Sequence, residues 1–168
     1  MSLLVPLQFI CLIGFVLLLA TAAWQDLRTM RIADTVSLAI VGIFGVWALS
    51  GLGDGNTTLS NIGLAAGCAV AVFAIGALGF AVGVLGGGDV KLLAASSLFA
   101  GPALLPEFLM VTALAGGVLG LATLAGARIG PAASAGDASV AGRLRGGLPY
   151  GPAIAAGGLW AAATLATS

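Results

Sequence analysis

Six acidic side chains and no histidine define the chemistry open to this chain of 168 residues. The acids are Asp26, Asp34, Asp54, Asp89, Glu107 and Asp137. Without histidine, Ser/His/Asp, Cys/His and HExxH arrangements drop out. Cys11 and Cys68 each lie inside an apolar stretch without a CxxC partner, and they read as small buried residues rather than as a disulfide or metal site. Carboxylates remain. Two of them held close in a poorly solvated place cannot both ionise cheaply, so one keeps a proton and the pair titrates as a unit. The charged member can then draw a proton from water as that water attacks a peptide carbonyl, while the protonated member donates to the developing oxyanion. Such a pair needs no metal and no cofactor, and the sequence implies neither.

The elements that would position these acids are membrane helices. Hydrophobic residues make up 60% of the chain and charged residues 7%, against about a quarter charged in a soluble domain; the mean hydropathy is +1.18. A bilayer core needs about 20 apolar residues per helix, so this length suits one all-α, polytopic bundle with short loops over 1–168. Apolar runs over about 3–23, 35–50, 61–85, 90–105, 107–127 and 149–167 predict six spans. The first run resembles a secretory signal, with Ala20, Thr21 and Ala22 as small residues at its end. No Lys or Arg precedes it, however, and it is longer than the usual signal core, so it is expected to be a retained helix. Turn signals separate the runs: Gly51 to Asn56, the glycines Gly86 to Gly88, and Gly101-Pro102 and Pro106, either of which can end a helix. Residues 128–147 read as a long polar loop. Gly63, Gly67, Gly76 and Gly79 permit close helix contact but specify no oligomer.

Six spans place all six basic residues on one side. Arg28 and Arg31 follow the first run, Lys91 the third, and Arg128, Arg143 and Arg145 the fifth. The positive-inside rule makes that side cytoplasmic and leaves both termini outside. The net charge is zero and no long basic run occurs, so membrane lipid is an expected partner and nucleic acid is not.

The same parity sorts the acids. Asp26, Asp34, Asp89 and Asp137 emerge on the cytoplasmic side; Asp54 and Glu107 emerge opposite. A charge near the hydrocarbon costs about 2.5 to 3.5 kcal/mol, which makes each border carboxylate a functional candidate. Asp26 and Asp89 are two whole spans apart and can meet. Asp89 follows three glycines that allow close backbone approach and lies near the start of a helix whose dipole favours its anion. Other readings stay open. Asp26, Arg28 and Arg31 also fit a solvated interfacial loop, and Asp89 or Asp34 fits a helix N-cap. Asp137 fits a solvated loop, and Lys91 either tunes the pair or anchors the cytoplasmic border. Asp54 belongs to a turn, and the Asn56-Thr57-Thr58 triplet is too common to imply glycosylation. A non-enzymatic six-helix transporter or assembly component, with Asp26 and Asp89 binding a cation or relaying protons, is the competing class.

Gly86-Gly87-Gly88-Asp89, followed by Val90-Lys91-Leu92-Leu93-Ala94-Ala95, resembles the GxGD motif of the type IV prepilin peptidases. Asp26-Leu27-Arg28-Thr29-Met30-Arg31-Ile32 resembles that family's first aspartate segment, and Leu148-Pro149-Tyr150-Gly151-Pro152-Ala153-Ile154-Ala155 its last helix. The length is similar to that of the short, CpaA- or TadV-like members of Flp/Tad pilus systems. The resemblance implies an intramembrane aspartic endopeptidase of the bacterial inner membrane that removes the basic leader of a prepilin or pseudopilin after a glycine at the cytoplasmic face. It implies Asp26 and Asp89 as the catalytic pair, Gly86 and Gly88 shaping the turn that presents Asp89, Lys91 in support, and loop or substrate roles for Arg28, Arg31 and Asp34. Ala33-Asp34 departs from the family's Pro-Asn. The segment from Trp24 to Asp34 has no room for the cysteine-rich insertion tied to pilin N-methylation, so no methyltransferase activity is expected. The resting structure need not hold the two carboxyls within a hydrogen bond of each other.

Overall fold

The computed structural model describes residues 4–125 and 149–167. The expected loop at 128–147, with Arg128, Asp137, Arg143 and Arg145, lies outside the described residues. The described residues form helices: α1 (Leu4–Thr29), α2 (Asp34–Gly53), α3 (Leu59–Ala81), α4 (Gly87–Leu124) and α5 (Gly151–Thr167). Of these, Pro6–Thr29, α2, α3 and α4 are each long and apolar enough to cross a membrane. Large apolar side chains such as Ile10, Leu17, Leu38, Leu49, Ile75, Leu78 and Val118 face outward, as helices that are hydrophobic all round do in lipid.

Three boundaries differ from the sequence expectation. First, α1 does not stop at Ala23; it runs through Trp24 to Thr29, so Asp26 sits on a helix turn and not in a loop. Polar residues at a membrane border do not interrupt helical hydrogen bonding. The stop is Met30, whose φ of 51° is left-handed while its N–H still bonds to the Asp26 carbonyl. Second, α3 ends at Ala81 rather than near 85, because Gly83 turns the chain at φ +75°. Its start is capped by Thr58, whose hydroxyl accepts from the Asn61 N–H at 3.2 Å.

The third difference is the largest. The expected helices 90–105 and 107–127 form one element, α4, broken at Gly101 rather than at Pro106. Gly101 adopts φ 54°, ψ −173°, a conformation essentially reserved for glycine. Pro102 then occupies the first position of the second arm, where its missing N–H costs nothing. The chain reverses there. In the first arm Val90 lies against Gly76 and Gly101 faces Ala65, so this arm runs antiparallel to α3. In the second arm Phe108 and Thr112 lie against Gly157, and Gly116 against Tyr150 and Ala153, so this arm runs antiparallel to α5.

Helix α5 in turn runs antiparallel to α1, with Gly151 at Asp26 and Gly158 at Leu19. These pairings bring the C-terminal end of α1 and the N-terminal ends of α4 and α5 to one end of the bundle. Deeper in, Phe15 of α1 stacks on Phe99 of α4 at 4.2 Å, with Phe44 and Trp47 of α2 closing the cluster. This aromatic core joins α1, α2 and the first arm of α4 below the two aspartates.

Candidate active site

Asp89 is the third residue of α4, not its cap. Gly86 is the N-cap, with extended backbone angles of φ −75° and ψ 145°. From the third position a carboxylate can reach back to the cap's own N–H, the acidic half of a capping box. Asp89 Oδ2 turns back against Gly86 in this manner. The arrangement leaves no space at Gly86, since an added Cβ would stand 2.6 Å from Asp89 Oδ2. Gly88 serves a different contact. A Cβ there would come within 3.2 Å of Ile32 Cβ and 3.4 Å of the Ile32 carbonyl oxygen, so its bareness lets the α1–α2 connection lie directly on the first turn of α4.

That connection carries the residues around Asp26 toward Asp89. It is tied at both ends. Gln25 Oε1 accepts from the Ala33 N–H at 3.2 Å, and Asp34, the first residue of α2, pairs with Lys91 at 2.7 Å. Asp34 is therefore not an N-cap: Ala33 holds that position, without a side-chain bond. Lys91 points away from the aspartates to this partner. Both members of the pair are well exposed, at 46% and 63%, and exposed pairs contribute about 0–1 kcal/mol. Lys91→Ala is accordingly expected to leave thermal stability and substrate turnover close to wild type, measured by melting in detergent and by steady-state cleavage. Arg28 stacks over the exposed Trp24 ring at 4.4 Å, and Arg31 is exposed. Both basic residues lie at the bundle border rather than at the carboxylates.

Asp26 receives a contact for which the sequence gives no expectation. The Gly151 N–H, at the start of α5, donates to Asp26 Oδ2 at 2.7 Å. A Cβ at Gly151 would lie 2.7 Å from Asp26 Cβ and 2.9 Å from Oδ2. The signal available in the sequence is a glycine between Pro149 and Pro152, which reads as a helix start and says nothing of what the start touches.

Asp26 and Asp89 are 4% and 8% exposed. Among the described residues they are the charged side chains that are buried. No hydrogen bond joins the two carboxyls: Asp26 Oδ2 is held by Gly151, and Asp89 Oδ1 is buried without a partner. Two buried carboxylates thus lie at one end of an apolar helical bundle, with Asp89 Oδ1 left without a partner.

Residues 13–121 match the type IV leader peptidase family. The chain belongs to that family: the matched stretch covers most of its length, including both buried aspartates and the Gly86 to Asp89 turn. Comparison with curated proteins and with solved structures found no match. The protein is thus a membrane peptidase of the type IV leader class, and prepilins are the substrates that the family implies.

Proposed function

We propose that the chain is an aspartic endopeptidase of the bacterial inner membrane that removes the basic leader of Flp-type prepilins or pseudopilins at the cytoplasmic face. The observation that carries this reading is the burial of Asp26 and Asp89 at one bundle end, while the other charged side chains among the described residues are half-buried or exposed. Burying a carboxylate in an apolar setting is costly, and two together serve a purpose that packing does not explain. In the proposed reaction the anionic carboxylate takes a proton from water, whose oxygen adds to the scissile carbonyl. The protonated carboxyl gives its proton to the carbonyl oxygen. Collapse of the tetrahedral species then breaks the C–N bond: the amine leaves with the proton taken from water, and one hydroxyl returns its proton to the other carboxylate, which restores the pair.

Orientation follows from charge. Arg28, Arg31 and Lys91 lie at the same end as the aspartates, and that end is proposed to face the cytoplasm. The proposed single domain crosses the membrane in six helical segments, with the two arms of α4 counted separately. The connection between Thr29 and Asp34 is too short to hold a further catalytic insertion, so no N-methyl transfer is proposed. The test is cleavage by the purified protein, reconstituted in lipid, of a full-length prepilin, with the products weighed by mass spectrometry. One cut between the basic leader and the apolar segment is expected. An intact substrate together with aspartate-dependent cation uptake into the vesicles would instead make the protein a transporter.

A further inference from the structure

We infer that Gly151 is a positioning residue for the reaction, the first turn of α5 acting as a backbone clamp on Asp26. This rests on the aspartic reading above and goes past it by assigning a task to a helix outside the family match. Three observations carry it. The Gly151 N–H donates to Asp26 Oδ2 at 2.7 Å across 125 residues of sequence. Any side chain at 151 would meet Asp26 Cβ, Oδ2 and Cγ at 2.7 to 3.1 Å, and the nearest of these, Cβ, is fixed to the α1 backbone and cannot swing aside. Gly151 itself is buried, and the neighbouring Pro149 is fully so, which fixes the clamp from behind.

The clamp has a chemical consequence. With Oδ2 committed to α5, the other oxygen of Asp26 is the one left to turn toward water and Asp89. A backbone donor at a helix start is rigid and carries the favourable end of the helix dipole, so it holds a carboxylate without the rotamer freedom of a side-chain donor. Asp89 Oδ2 turns back against Gly86 within its own helix, while Oδ1 is buried without a partner. Each carboxylate thus sets one oxygen against backbone and leaves the other for chemistry.

The experiment compares Gly151→Ala with Gly158→Ala, a residue of the same helix whose added methyl would crowd the Leu19 side chain, away from the carboxylates. A displacement of a reacting group by about 1 Å costs about 10²-fold. Gly151→Ala is therefore expected to lower kcat by about that factor with KM nearly unchanged, whereas Gly158→Ala affects stability more than kcat. A Gly151→Ala enzyme with normal kcat, or one whose loss lies in KM, overturns the inference. Asp26→Asn separates this from the parent reading: if it stays active, the dyad itself is wrong; if it is dead while Gly151→Ala is normal, only the clamp is wrong.

A stability cycle keeps the test open even where Gly151→Ala is too poorly folded to assay. Asp26→Gly removes every Asp26 atom that the new methyl meets, so Gly151→Ala is expected to lower the melting temperature less in that background than in the wild type. Additive losses would show that the two residues do not press on each other.

Discussion

Asp26→Asn and Asp89→Asn, each made alone, are expected to cut prepilin turnover by at least about 10³-fold while the bundle stays folded. Asparagine matches aspartate in shape and keeps an oxygen acceptor. At 26 that oxygen can still take the Gly151 N–H, and at 89 it can still lie against Gly86. What asparagine cannot do is exchange a proton with water or with the peptide. The loss is therefore chemical, and it should appear in kcat with little change in melting temperature. In the proposed dyad the two residues act as one unit, so the double variant should be no worse than either single one. Turnover is followed by leader removal from a prepilin in reconstituted lipid. Either single variant cutting at the wild-type rate would remove the dyad from the mechanism.

The largest effect on stability is expected at Gly157. A Cβ there would stand 2.7 Å from the Phe108 carbonyl oxygen and would strike Thr112 Oγ1. The first of these is backbone within the second arm of α4, beside a fully buried Phe108 ring, and it cannot swing aside as a side chain would. Gly157→Ala should force α5 and that arm apart, costing about 3 kcal/mol, the upper end for added methylenes in a packed core. The readout is the melting temperature in detergent, with Gly67→Ala as control because an added methyl there meets open space. A Gly157→Ala bundle that melts with the control would show that the α4–α5 contact yields freely.

Much of the active end is legible in the amino-acid sequence alone. The scarcity of charge in an apolar chain singles out the border acids, and the parity of apolar runs puts Asp26 and Asp89 on one side. Physics that acts along the chain is readable in this way, because a bilayer imposes length and charge placement on local sequence. The misses have local and distant causes. Trp24 to Thr29 reads as a loop because its residues are polar, yet polarity at a membrane border does not stop a helix; the left-handed Met30 does. Gly101-Pro102 and Pro106 are alike as breakers in sequence, and only the backbone angles distinguish the reversal at Gly101 from a proline carried inside an arm. The Gly151 to Asp26 bond and the Lys91 to Asp34 pair span 125 and 57 residues. Contacts of that reach depend on which helices become neighbours, which no window of sequence contains.

The bareness of Gly86, Gly88 and Gly151 bears on how this enzyme can drift and how it can be redesigned. In an ordinary core the large apolar residues are the constrained positions. Here many of them face outward, and one aliphatic residue is nearly as good there as another. The constraint has moved to positions defined by a missing atom. Variation should therefore be freest among the bulky residues and narrowest at these three glycines. Directed evolution of this peptidase toward new leaders would do well to randomise the outward-facing side chains and leave the glycine-bounded end untouched.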